Sequence, residues 1–161
     1  MKLILGNLQK FRLAAWLALV TLTLVTARAG DTEAAKKDQA AIQGKWILTA
    51  GSRDGTMFTP EFMVNSTRVA KGDEVTVIIR GQLMMKAKYK LDPTQKPKTI
   101  DYEVSGGPYA GATQLGIYEI DGDKVKFCFS TPGSKRPTTF VTKASDGHTL
   151  SCWTRETPPA K

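Results

Sequence analysis

The sequence predicts an all-β protein: an antiparallel up-and-down barrel of about eight strands, entered through a short N-terminal helix. Three observations predict it. From Trp46 onward apolar residues recur at every second position. Turn signals fall roughly 9 to 15 residues apart, and no long stretch repeats with helical spacing.

Ahead of that region lies a different kind of segment. Lys2, Lys10 and Arg12 precede an apolar run from Leu13 to Val25, closed by Ala27-Arg28-Ala29. A basic start, an apolar middle and small residues at the close are the plan of a secretory signal peptide, so an exported, periplasmic or extracellular protein is expected. The apolar run has 13 residues, whereas a spanning helix needs ~20. No stable membrane insertion is therefore expected after cleavage. The expected organisation is a signal peptide over 1–29, a linker and short helix over 30–43, one β-barrel domain over 44–157 and a tail over 158–161. Removing the leader takes Lys plus Arg from 23 to 19 against 15 acids, so a net charge of +8 becomes +4. A surplus that small gives no reason to expect a nucleic-acid partner.

Residues 31–43 are rich in Ala, Lys and Gln and read as the helix, capped by Asp31 or Asp38. Trp46, Leu48 and Ala50 share a face until Asp54-Gly55 breaks the run. Residues 56–65 hold Met57, Phe58, Phe62 and Met63 around Pro60 without a clean period, and read as an apolar loop with one helical turn. A short run over 66–71 meets a turn at Gly72-Asp73. Strands follow with Val75, Val77 and Ile79, and then Met85, Ala87, Tyr89 and Leu91, on one face. Beyond the loop 92–97 come Ile100, Tyr102 and Val104, then the irregular stretch 105–113, then Tyr118 and Ile120. Asp121-Gly122-Asp123 is a strong hairpin signal, because Asp-Gly supplies the positive φ angles of a tight turn. Val125, Phe127 and Phe129 alternate beyond it. A loop from Pro132 to Pro137, a run over 138–143 around Phe140, a turn at Asp146-Gly147 and a strand over 148–155 complete the pattern. The expected inward set is Trp46, Leu48, Val75, Val77, Ile79, Tyr89, Leu91, Ile100, Tyr102, Val104, Tyr118, Ile120, Val125, Phe127, Phe129, Phe140 and Leu150.

Gly44-Lys45-Trp46 after a short helix resembles the Gly-x-Trp opening of lipocalin-like barrels. An ordered set of stretches across residues 38–156 resembles a domain family of unknown function found chiefly in planctomycete bacteria. The set is Leu91-Asp92-Pro93, Lys96-Pro97-Lys98, Ile100-Asp101, Gly116-Ile117-Tyr118-Glu119 with Asp121-Gly122-Asp123, and Gly147-His148-Thr149-Leu150. The resemblance implies export and a lipocalin-like (calycin-type) barrel, and carries no established activity. In lipocalins an arginine near the end of the last strand packs on the motif tryptophan at the closed end. Arg155 is the matching position, so Trp46 and Arg155 are expected to form a structural plug.

That pairing requires an even strand count, because only then do the first and last strands close antiparallel. Nine runs are visible. Assigning the weakest, 66–71, to a long 54–73 connection leaves eight. Connections 80–82, 105–113 and 131–137 then fall at the Trp46 end. Connections 54–73, 92–97, 121–123 and 144–147 fall at the mouth, under a lid of Met57, Phe58, Phe62 and Met63.

Export makes a disulfide between Cys128 and Cys152 possible, but they sit in runs separated by 138–143, which places them two strands apart, roughly 9.5 Å, farther than a bridge spans without backbone movement, so free thiols are favoured over a bridge. His148 is the only histidine; Asp146 and Ser151 lie close along the chain but not in an arrangement that converges on a substrate, so no catalytic residue is expected. One His and two separated Cys make no metal site, and no cofactor is expected. Asp101 and Glu103 read as a solvated acidic strip. Lys86, Lys88, Lys90, Lys124 and Lys126 form the wet side of a sheet or, alternatively, a basic patch for an anionic envelope surface.

An eight-stranded barrel is just wide enough to be filled by side chains or to hold one small ligand. The leading expectation is an exported, non-enzymatic barrel binding a small apolar or amphipathic ligand, lined by Tyr89, Tyr102, Tyr118 and Phe127 and gated by Phe58 and Phe62. The alternative is a filled barrel that acts as a cell-envelope interaction module through its outer surface.

Overall fold

Helix α1, over residues 32–41, delivers the chain to strand β1 (Gly44–Arg53), whose alternate side chains Trp46 and Leu48 turn away from water. The computed structural model describes residues 32–157. The expected signal peptide, the cap candidate Asp31 and the tail 158–161 lie outside the described residues. Asp38, the other cap candidate, sits within α1 and turns its carboxylate inward to Lys98 and Tyr118 instead.

Beyond β1 come β2 (Thr56–Met57), α2 (Pro60–Met63), β3 (Thr67–Lys71), β4 (Glu74–Ile79) and β5 (Gln82–Asp92). The chain continues through β6 (Lys98–Gly106), β7 (Thr113–Asp121), β8 (Lys124–Ser130) and β9 (His148–Arg155). From β3 to β9 each strand pairs antiparallel with the next; β3 also pairs with β1, and β9 returns to β1 with Trp46 opposite Arg155. Eight strands thus close into a lipocalin-like up-and-down barrel with no free edge among them. β2 is a two-residue return on β1. Its turn takes positive φ at Asp54 (49°) and Gly55 (78°), the geometry that continues the twist of a hairpin.

The even count holds, but a different run drops out. Residues 67–71 form a true strand, with Arg68 opposite Trp46 on one side and Val77 on the other. Residues 138–143 do not form one, because β8 pairs directly with β9 and leaves no edge for them. Adding one strand before β4 and removing one before β9 reverses the direction of everything between. Turns 72–73, 93–97 and 122–123 therefore lie at the Trp46 end, while 54–66, 80–81, 107–112 and 131–147 surround the mouth.

Two changes of face follow from register. A bulge at Thr49 puts one extra residue in β1, so Ala50 leaves the inner face and Gly51 takes it up opposite Ser151. In β9, Trp153, Ser151 and Thr149 face the lumen and Leu150 lies outside opposite Cys128. Phe140 is also outside, its ring 4.9 Å from the Lys126 ammonium. The other residues of the expected inward set pack in one core, joined by Ile42 and Trp153. Cys128 and Cys152 stand on adjacent strands, not two apart, with Cys152 opposite Lys126 and Cys128 opposite Leu150. Such diagonal neighbours are roughly 7–8 Å apart, and both thiols are free.

The closed end is filled. The Arg155 guanidinium covers the Trp46 ring and donates to the carbonyls of Ala41 and Gln43, each at 2.7 Å, while Trp46 Nε1 donates to Ile42 O at 2.9 Å. Ile42 enters the barrel from the end of α1 and is fully buried. Asp38 ties α1 to the wall, accepting from Tyr118 Oη and Lys98 Nζ, both at 2.7 Å.

Candidate functional site

Above this plug the interior opens into a cavity of about 290 Å³ that reaches the mouth. Leu48, Val77, Met85, Phe127, Phe129 and Trp153 stand in its wall, each from the inward face of a strand. Gly116 makes room for one of them: a Cβ there would stand 2.4 Å from the Phe129 ring. Phe129 in turn stacks on Tyr102 at 4.4 Å between ring centres, and Phe127 follows at 6.0 Å.

The lid lies where the sequence places it, at the mouth. Thr59 caps α2 by accepting from the Phe62 backbone N–H, Pro60 occupies the first turn, and the rings of Phe58 and Phe62 stack 4.4 Å apart over the cavity. Phe58 N donates to Gly51 O at 2.9 Å, and its ring lies on Gly51, where any Cβ would come within 2.6 Å of it. Met63 packs on the core, whereas Met57 is exposed. The 131–147 loop forms the other rim; Thr142 Oγ1 contacts Ser52 Oγ at 2.8 Å and accepts from Gly55 N, which joins it to the base of the lid.

Of the expected lining residues, Tyr102, Phe127, Phe58 and Phe62 meet at this cavity. Tyr89 and Tyr118 point inward but lie nearer the closed end, outside the cavity wall. Tyr89 Oη donates to Gly72 O and accepts from Gln43 Nε2, and Tyr118 Oη is held by Asp38. Burial raises the pKa of all three tyrosines above the ordinary phenol value, and the neighbouring Asp38 carboxylate raises Tyr118 further.

Several wall residues, Trp153 and Tyr109 among them, carry no sequence-based expectation, and the most consequential is Arg68. Arg68 of β3 is 1% exposed, and its guanidinium carbon lies 4.3 Å from the centre of the Phe127 ring. None of its Nε, Nη1 and Nη2 atoms has a hydrogen-bond partner among the described residues. Asp101 Oδ1 is also enclosed, but it faces Arg136 Nη2 at 2.5 Å, so its charge is answered. The signal for Arg68 lay in the alternation of Ser66, Arg68 and Ala70 just before the Gly72-Asp73 turn. An inward arginine spoils the apolar pattern by which so short a strand would be recognised.

The remaining candidates lie apart. His148 and Ser151 occupy opposite faces of β9; His148 Nδ1 faces Asp146 Oδ2 at 3.2 Å, and Ser151 Oγ accepts from Trp153 Nε1 at 2.9 Å. Burial pushes the Asp146 carboxyl up, but N–H groups of His148 and Lys143 outweigh it and hold the pKa below the usual value. No cluster of metal-ligating side chains occurs among the described residues. No described helix is long and apolar enough to cross a membrane. Most outer lysines face acids across the strands: Lys88 opposes Glu74 and Glu103, Lys90 opposes Asp101, and Lys126 opposes Glu119 with an ion pair of 3.1 Å, whereas Lys86 opposes Thr76 and Gly106.

Comparison with known proteins adds no relative: no family model, no curated protein and no solved structure matches the chain.

Proposed function

We propose that this protein is an exported carrier or sensor that binds a small, largely apolar molecule in the barrel beneath the Phe58–Phe62 lid. The observation that carries this reading is the cavity itself. It is open at the mouth, closed at the Trp46 end and walled mainly by aliphatic and aromatic side chains. At about 290 Å³ it stands at the lower edge of the ~300–1,000 Å³ typical of ligand pockets, which restricts the occupant to a small molecule. Export rests on the residue pattern of 1–29.

The cross-strand pairing of outer lysines with Glu74, Asp101, Glu103 and Glu119 weighs against a basic docking patch. It leaves the lumen as the better place to look. Native mass spectrometry of protein purified from its own host should show a co-purifying small mass. Recovery without one, together with no thermal stabilisation by a panel of medium-chain alcohols, acids and esters, overturns the reading.

A further inference from the structure

Arg68 makes the cavity something other than an apolar hole. A guanidinium carries five N–H donors in a planar fork and remains charged at any pH a protein survives. Here all three nitrogens are enclosed, and no protein group among the described residues accepts from them. The Phe127 ring offers a cation–π contact on one face, which leaves the in-plane donors unmet. An uncompensated charge away from water is among the costliest features a fold can carry.

The rest of the wall shows what would compensate it. Among the described residues no Asp or Glu lines the cavity. The second arginine, Arg53, stands at the mouth with its side chain 48% exposed and faces Asp54 at 3.7 Å, so it adds little unanswered charge in the depth. Tyr102 lines the same cavity, and its burial keeps the phenol protonated and able to donate. The interior therefore presents one deep cation and the Tyr102 O–H in a mainly apolar wall, whose other polar side chains, Gln114, Thr131, Thr149 and Ser151, are uncharged.

Building on the ligand-carrier reading, we infer that the cavity takes a monoanionic amphiphile, a small carboxylate with an apolar tail. Its head binds Arg68 and its tail runs toward the Phe58–Phe62 lid. A carboxylate matches the guanidinium fork with two parallel hydrogen bonds. A phosphate dianion would leave a second charge without a counter-ion inside the barrel.

The test compares three probes with the same eight-carbon tail, namely octanoate, octanol and octyl phosphate, titrated by calorimetry into wild type and Arg68→Met. Octanoate should bind wild type at least about tenfold more tightly than octanol, and Arg68→Met should abolish that preference. Without ligand, Arg68→Met should melt at or above the wild-type temperature, since it removes a buried unpaired charge. If Arg68→Met does not fold, Arg68→Gln, which keeps polar reach without charge, should lose the same preference. Equal binding of octanol and octanoate, unaffected by substitution, overturns the anion site and leaves the apolar-carrier reading standing. Octyl phosphate binding more tightly than octanoate overturns the carboxylate assignment. Binding of none of the three overturns both readings.

Discussion

The guanidinium carbon of Arg155 lies 4.2 Å from the centre of the Trp46 ring, and the same side chain donates to two carbonyls at the end of α1 and to Asp123. One residue at the end of the last strand thus joins the first strand, the helix before it and the β7–β8 turn. Truncating Arg155 to Ala removes a cation–π contact and three hydrogen bonds, an expected loss of about 2–4 kcal/mol. Because the plug lies at the far end from the lid, ligand affinity should be unchanged where the variant is folded. Urea denaturation reads the first effect and calorimetry the second; an unchanged midpoint would remove the plug from the account.

Tyr118 tests the attachment of α1 to the wall. Tyr118→Phe removes the hydroxyl that donates to Asp38 and should cost about 1 kcal/mol. Burial and the Asp38 carboxylate both raise the Tyr118 pKa above the ordinary phenol value. The unfolded chain therefore releases this proton first, and stability is fully present below about pH 10 and falls as pH rises beyond it. Alkaline denaturation of Tyr118→Phe should show a shallower fall than wild type; an identical slope would contradict this.

Gly51 tests the seat of the lid. An added Cβ would stand 2.5 Å from the Leu150 carbonyl oxygen and 2.6 Å from the Phe58 ring. The first is backbone in the neighbouring strand and cannot easily retreat, so Gly51→Ala should cost about 1–3 kcal/mol as overpacking. It should also displace Phe58. Thermal melts read the cost, and hydrogen exchange at the 56–63 amides should accelerate; unchanged exchange would mean that Phe58 is not seated by Gly51.

Cys128 should be chemically silent. Its side chain is enclosed, and burial pushes the thiol pKa up to about 11; burial raises Cys152 as well. Since only the thiolate reacts, native protein should resist iodoacetamide at pH 8, whereas urea-unfolded protein should take two labels, one per free cysteine. Rapid native labelling at Cys128, read by peptide mass mapping, would sink this.

Much of the fold was legible because most inward positions are apolar and alternate without interruption, as in Val125, Phe127 and Phe129. The misassigned pieces have a common physical origin. Arg68 is inward but charged, so β3 lost its pattern, and Phe140 is apolar but lies outside, so 138–143 acquired one. In β9 the plug already contained the answer. Arg155 shares its face with Trp153 and Ser151, so an arginine packed on an inward Trp46 excludes Leu150 from the lumen. The lid aromatics were legible from their clustering around Pro60. The deepest cation was not, because a residue that stands against the hydrophobic rule is invisible to a reading built on it.

An even strand count also has a practical geometry. Helix α1 enters beside the Trp46 plug, and the chain leaves β9 there, with Glu156 N donating to Lys45 O at 2.9 Å. Both chain directions therefore emerge from the same pole, and the mouth faces the other way. A surface linkage made through residues at this pole would hold the barrel like a cup by its base. Solute would still have an unobstructed approach to the Phe58–Phe62 lid, so immobilised protein should serve for binding measurements as well as free protein does.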